Sequence, residues 1–342
     1  MERMEYFLKL LCSPWPARSV MVMTRAFRGA LRLLRNCAHV KPGEEVLIVT
    51  DSATDAAIAK TIMAAATRLG IEACTITMKP RALPGEEPPE PVVAAMLSSD
   101  VIIAPISRSL YHTNARTRAC RRGARLMSMP GATMSVLASD AMLVDFAKQE
   151  RVLKKFVKML TRAKHITLTN PSGTDLELSV SRRRGHGVSG MCRHPGEVTG
   201  VPDIEAYIAP VEGSTNGTLV VDGSTSITGV AKQPITIDIE RGIATRISGG
   251  SQARTILRTL RKARTRAAFR VGEFAVGLNP LARIRGALIE DEGVLGTAHV
   301  ALGDNTRLGG KNKAPVHIDF VLRRAHVEFD GKTVLDEKRL TL

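Results

Sequence analysis

The chain has 342 residues, 44% of them apolar, with 49 Lys and Arg against 33 Asp and Glu and a formal net charge of +16. That length and apolar content exclude a disordered chain and allow two domains with cores of ordinary size, and no 18-residue apolar run is present to cross a bilayer as a helix. Five scattered cysteines (12, 37, 74, 120 and 192), odd in number and without a CxxC pair, argue against a disulfide framework and for a reducing, cytoplasmic setting.

The opening MERMEYFLKLLCSPWPARS carries an apolar patch interrupted by Lys9 and closed by two prolines, so it reads neither as a signal peptide nor as a membrane span. Residues 21–40 read as an amphipathic helix ended by Lys41-Pro42-Gly43. EVLIVT (45–50) is a buried strand. DSATDAAIAKTIMAAATRL (51–69) is a helix with Asp51, Ser52 and Thr54 as candidate caps. Strands at 71–78, 101–105 and 124–129 alternate with helices at 91–97 and 112–121. This order predicts an α/β domain with an open, mostly parallel sheet and right-handed crossovers. No GxGxxG follows the first strand, which argues against a dinucleotide site.

Residues 140–164 read as a helical connector, and the texture changes from His165. HITLTNP, DLELSV, EAYIAPV, GTLVVDG, PITIDIE and ATRISGG are short strands parted by Gly, Pro and Asn turns, so an α+β domain rich in antiparallel strands is expected. The boundary is placed near 162, giving domains 1–162 and 163–342. A helix at 252–268 precedes further strands from 271. Basic residues cluster at 116–125, 182–184 and 254–270. With only three Tyr, one Trp and eight Phe there is no stacking platform for single strands, and these clusters read as solvated helix faces.

Chemistry concentrates in residues 271–320, VGEFAVGLNPLARIRGALIEDEGVLGTAHVALGDNTRLGGKNKAPVHIDF. Glu273, His299, His317 and Asp319 each sit in a short apolar run, where a buried polar group is costly unless paired or ligating. Side chains alternate along a strand, so His317 and Asp319 share a face with Cα atoms about 7 Å apart. Glu205, at the head of Ala206-Tyr207-Ile208, is a further candidate. Glu197 competes with it from a looser Pro-Gly context. This mixed nitrogen and oxygen set suits zinc, cobalt, manganese or iron(II).

GEFAVGLNP, EDEGVLGTAHVALGDN, HIDF and IEAYIAPVEGSTNGTLVVDGS, together with KPGEEVLIVTD, GEEPPEPVVAAM and SRSLYHTNARTRAC, resemble the dinuclear metallo-aminopeptidases of the aminopeptidase T and aminopeptidase S type, and within them the shorter branch. The same stretches resemble the related 2,5-dihydroxypyridine 5,6-dioxygenases, which are mononuclear iron(II) enzymes. The likeness runs from about Thr24 to Asp330. By the peptidase motif Glu205, Glu273, His299, His317 and Asp319 are metal ligands, enough to hold two zinc, cobalt or manganese ions about 3.5–4 Å apart around a bridging hydroxide.

Two departures stand out. The peptidases carry a tyrosine shortly after the histidine matching His299, where this chain reads ALGDNTR, with Asn305 and Thr306. The dioxygenases carry a histidine where this chain has Glu273. The triad His299, His317 and Asp319 then meets the two-His-one-carboxylate pattern, whereas Glu273, His317 and Asp319 do not. By the resemblance, His112 and His186 act near substrate, and Arg116 or Arg118 is a candidate for a substrate carboxylate. The reading is a homodimeric aminopeptidase acting on small peptides with two divalent metals. An iron(II) ring-cleaving dioxygenase is the alternative, and a non-catalytic nucleic-acid-binding protein the third reading. Neither membrane nor nucleic acid is expected as a partner.

Overall fold

The computed structural model describes residues 17–82, 85–111 and 113–342, the side chains of 17–20 excepted. The first helix, α1 (Ala17–Arg32), runs into a π turn at Leu33–Cys37 rather than on to residue 40. In β1 (Glu45–Asp51) every residue after the first is buried, as expected of a strand covered on both faces. Helix α2 (Ala56–Leu69) starts later than the sequence suggests. Its N-cap is Asp55, whose side chain accepts from Ala57 N, and Gly70 ends it in the left-handed conformation at φ 69°. Asp51 instead holds the turn before the helix, accepting from the backbone of Ala53 and Thr54 and from Ser107.

The remaining elements of this region are β2 (Glu72–Met78), α3 (Glu90–Ser98), β3 (Val101–Ile106), α4 (Asn114–Arg121) and β4 (Arg125–Pro130). The four strands are parallel in the order β2-β1-β3-β4. Leu47, Val49, Ile102, Ala104 and Leu126 form their core with Val93 and Met96 of α3. Arg125, 2% exposed, ties β4 to the chain after α1. It donates to the carbonyls of Ala38 and His39 and grips Glu44 at 2.9 and 2.6 Å.

The chain divides into two compact units, one reaching Leu143 with Cys192–Val198 added, the other comprising Val144–Met191 and Thr199–Leu342. The division falls before helix α5 (Phe146–Arg162) and not near 162, because that helix packs its buried Phe146, Leu153, Phe156 and Leu160 inside the second unit, against two of its strands. Past it come β5 (His165–Thr169), β6 (Asp175–Ser179), β7 (His186–Val188), β8 (Val198–Gly200), β9 (Glu205–Ile208), β10 (Asn216–Val221), β11 (Ser224–Thr225), β12 (Gly229–Val230), β13 (Ile235–Glu240) and β14 (Ile243–Ser248). Helix α6 (Gly250–Lys262), β15 (Val271–Gly277), the short α7 (Leu288–Asp291), β16 (Ala298–Gly303), β17 (His317–Leu322), β18 (His326–Phe329), β19 (Lys332–Asp336) and β20 (Arg339–Leu340) complete it.

Two sheets carry this second unit, with strand orders β14-β13-β10-β6-β5-β18-β19-β20 and β12-β11-β17-β16-β15-β9-β7, while β8, whose Val198 belongs to the first unit, is the fifth strand of the first sheet, beside β4. Their pairings are antiparallel, as expected, so the mixed α/β class holds. No helix among the described residues is long and apolar enough to cross a membrane.

Candidate metal centre

Register decides which side chains of the second sheet meet. His186 of β7 pairs with Tyr207 of β9, Tyr207 with Ala275 of β15, Ala275 with His299 of β16, and His299 with Val321 of β17. Paired residues point to the same face, so one row crosses five strands. The next row holds Glu273, Ala301 and Asp319, and beyond it Gly303 pairs with His317. On the other side of the first row Val188, Glu205 and Gly277 align. One face therefore presents Glu205, Glu273, His299, His317 and Asp319 around the small residues Ala275, Ala301 and Gly277. The opposite face is core: Phe274, Val276, Val300, Ile318 and Phe320 are fully or almost fully buried.

Glycine fixes both borders of the site. A Cβ on Gly187 would stand 2.8 Å from Leu153 Cδ1 and one on Gly185 3.1 Å from Val157 O, so these residues face α5 while His186 points to the site face. A Cβ on Gly277 would stand 2.3 Å from Val294 O and 2.7 Å from Glu292 O. The segment 292–294 thus lies directly over Gly277 and delivers Glu292 to the cluster. Just before it, Glu290 accepts from Arg283 N and Asp291 from Arg285 N and Gly286 N, which fixes the loop leading into α7.

The ligand atoms fall into two adjoining groups. Glu273, His317 and Asp319 bring donor atoms within 4.8 Å of one another, and so do Glu205, Glu292 and His299. His317 Nε2 lies 2.9 Å from Glu273 Oε2 and 3.2 Å from Asp319 Oδ1. His299 Nε2 lies 3.5 Å from Glu205 Oε2 and 3.9 Å from Glu273 Oε1. His317 Nδ1 sits 2.7 Å from the carbonyl of Asp304, an acceptor only. That contact puts the proton on Nδ1 and leaves Nε2 for the carboxylates or a metal.

The electrostatics match a cation site. Burial raises the pKa of Glu205 and Glu292 well above the carboxylate range, and nearby carboxylates, Asp203 among them, raise both further. Burial lowers His299. At His317 burial works against the proton, but Asp319 and Glu273 outweigh it and hold the pKa well above the usual histidine value. Glu205 Oε2 and His299 Nδ1 are buried with no hydrogen-bond partner among the described residues. Two imidazoles, several carboxylates and orphaned buried donor atoms fit a divalent metal.

All five ligand candidates come together. His186 stands on the same face, stacked on Tyr207 with ring centroids 5.5 Å apart. Burial first, and then Arg184, lowers its pKa. His112 lies outside the described residues. Arg116 is engaged in the first unit, its Nε donating to Tyr111 O and its guanidinium 5.3 Å from the Tyr111 ring. Glu197 accepts from the backbone of Arg193 and His194 and belongs to the first unit. Sequence reasoning missed Glu292 and Asp203. Glu292 ends the tract Glu290-Asp291-Glu292, which looks like a solvated turn. Asp203 follows the cis Val201-Pro202 bond with no apolar strand to mark it, yet it is 2% exposed.

The model of the NicX family, 2,5-dihydroxypyridine 5,6-dioxygenase, matches residues 23–342. The chain is 26% identical over 189 residues to 2,5-dihydroxypyridine 5,6-dioxygenase of Pseudomonas putida KT2440. The match covers 52% of this chain and 54% of that protein, so it spans about half the length of the relative. The fold resembles the solved 2,5-dihydroxypyridine dioxygenase of Pseudomonas putida KT2440 with a TM-score of 0.77 at 20% identity, covering 93% of this chain and 97% of that one. It also resembles AmpT of Thermus thermophilus, with a TM-score of 0.67 at 15% identity, over 93% and 99% of the two chains. At such identities these likenesses speak for the fold alone. The family match overturns the aminopeptidase reading, and with it the assignment as a hydrolase and protease. The chain belongs to the 2,5-dihydroxypyridine 5,6-dioxygenase (NicX) family.

Proposed function

We propose that the chain is a metal-dependent ring-cleaving dioxygenase acting on a dihydroxylated pyridine-type aromatic, with one iron(II) held by Glu273, His317 and Asp319. The family match over residues 23–342 supports the reaction class, and the observation that carries the site is the convergence of three donor atoms within 4.8 Å. Iron(II), when bound, supplies the one-electron chemistry that oxygen requires. One imidazole and two carboxylates meet it here, with the buried His299 beside them as a second nitrogen donor.

The chain's own residues do the rest. The Asp304 carbonyl accepts from His317 Nδ1, so Nε2 is the nitrogen that would give up its proton to ligate. Ala275 and Ala301 add little bulk at the centre of the face, while the backbone of 292–294 covers Gly277. Burial and Arg184 lower the pKa of His186, which favours the neutral imidazole that can accept a proton from a ring hydroxyl. Tyr207 fixes its ring plane by stacking. Burial, and then the neighbouring carboxylates, raise the pKa of Glu205 and Glu292, which favours their protonated form when no cation is near.

The test is anaerobic loading with iron(II), followed by oxygen uptake with 2,5-dihydroxypyridine. One iron per chain and one oxygen consumed per ring are expected. A loaded chain that consumes no oxygen with any dihydroxylated pyridine overturns the proposal.

A further inference from the structure

The second basic cluster of the sequence, Arg182–Arg184, leads directly into the site. Arg183 is occupied: it pairs with Glu212 and donates to the carbonyl of Gly309. Glu212 in turn accepts from Lys311 N and from Asn305 Nδ2, so the turn is fastened to the loop that precedes His317. Arg184 is different. It is exposed, and no carboxylate or carbonyl among the described residues engages its guanidinium.

Its direction follows from the strand. Gly185 and Gly187 face α5, so Arg184 and His186 share the opposite face, which is the site face. Arg184 lies two residues before β7; extending the pairing of His186 with Tyr207 by two residues brings it level with Ala209, and extending the β9–β15 register by one residue past Ile208 and Phe274 brings Ala209 level with Glu273. This extension puts Arg184 in line with the row of Glu273, Ala301 and Asp319, at two strand spacings or about 10 Å from Glu273. The residue between, Ala209, is small and buried. The floor of the site is carboxylate and its β7 border is an unengaged guanidinium.

We propose that Arg184 receives an anionic substituent of the ring, which makes the substrate an aromatic carboxylate or a comparable ring anion and makes Arg184 a specificity-determining residue. The inference rests on the ring-cleavage reading above. Guanidinium and carboxylate match in geometry and charge. The carboxylates of the floor repel such a substituent and the border attracts it. The ring then lies with its anionic edge toward β7 and its hydroxyl-bearing edge toward Glu273, His317 and Asp319. Arg183 keeps the backbone of the turn in place.

Calorimetry under argon with the iron(II)-loaded chain tests this, using 5-hydroxypyridine-3-carboxylate and 5-hydroxypyridine-3-carboxamide, which share a ring and differ in charge. Wild type binds the carboxylate about tenfold or more tightly than the amide, the range of a charge-assisted hydrogen bond. Arg184→Gln weakens the carboxylate about tenfold, leaves the amide within about twofold and keeps its iron, and Arg184→Lys restores part of the preference. Equal affinities in wild type, a preference that survives in Arg184→Gln, or failure of both probes to bind overturns the proposal. A chain that cleaves a dihydroxypyridine yet shows no charge preference keeps the ring-cleavage reading and loses this one. A preference lost in Arg184→Gln without any oxygen chemistry keeps the anion receptor and loses the reaction.

Discussion

Replacing His317 by Ala probes the centre with two opposed effects whose sizes follow from the geometry. In the metal-free protein the imidazole is the cation between two carboxylates, 2.9 Å from Glu273 and 3.2 Å from Asp319. Removing one partner from a buried charge cluster costs about 3–5 kcal/mol. His317 keeps 32% of its side chain exposed, and solvent screening reduces the loss to about 1–2 kcal/mol. The metal-dependent effect is larger. A metal at a hundred times its dissociation constant stabilises the folded chain by about 2.7 kcal/mol, or about 5–10 °C for a unit of this size. Outer-shell losses already weaken metal binding about 10–100-fold, and loss of a ligand weakens it at least as much. Differential scanning calorimetry of the chain with and without added iron(II) under argon reads both. Wild type gains the upward shift. His317→Ala starts a few degrees lower and gains almost none of it. An equal metal-induced shift in the variant would refute the assignment of His317 and the ligand set built on it.

Gly277→Ala adds a Cβ 2.3 Å from Val294 O; because the obstacle is backbone, residues 292–294 must move, and a loss of bound metal by dialysis and elemental analysis is expected at unchanged helix and strand content. Arg125→Ala leaves Glu44 and the carbonyls of Ala38 and His39 without their donor, so urea denaturation of the first unit should show a loss of about 3–5 kcal/mol; a loss under about 1 kcal/mol contradicts that account. His326 sits 3.1 Å from Asp336 and 3.3 Å from Glu328, and these carboxylates, Asp336 first, raise its pKa above the unfolded value against the opposing effect of burial. The stability it contributes is complete below about pH 6.5 and is lost as pH rises through the folded pKa. Asp336→Asn should flatten that part of the melting-temperature profile, and an unchanged profile would remove the clamp.

Much of this centre is legible in the sequence because strand alternation is a strong rule. His317 and Asp319 two residues apart must share a face, and Glu205, Glu273 and His299 stand out as polar groups inside apolar strands. Other parts depend on contacts that no local pattern encodes. Glu292 reaches the cluster only because Gly277 admits the backbone of 292–294, and its acidic neighbours Glu290 and Asp291, fully buried under backbone amides, look in sequence like a surface turn. The parallel sheet is legible from strands that alternate with helices. The cap of α2 was not, because Asp51 and Asp55 are equally good candidates until Ser107 claims Asp51. The sequence marks two domains but sets the boundary after α5 rather than before it, since α5 has the look of a connector while its apolar stripe packs against β7 and β9. Reaction type was the hardest to read. A face rich in carboxylates points toward two metals on donor count alone, and it is the family match that points to ring cleavage.

The central claim, that both atoms of molecular oxygen enter an aromatic ring at this face, is tested most directly by isotope labelling. The iron(II)-loaded chain is given 2,5-dihydroxypyridine under oxygen-18 gas, and the product is weighed by mass spectrometry. Two labelled oxygen atoms in the ring-opened product are predicted, and the His317→Ala variant forms no ring-opened product. A ring-opened product with its new oxygen drawn from water, or an unconsumed ring beside a fully loaded chain, would contradict the account.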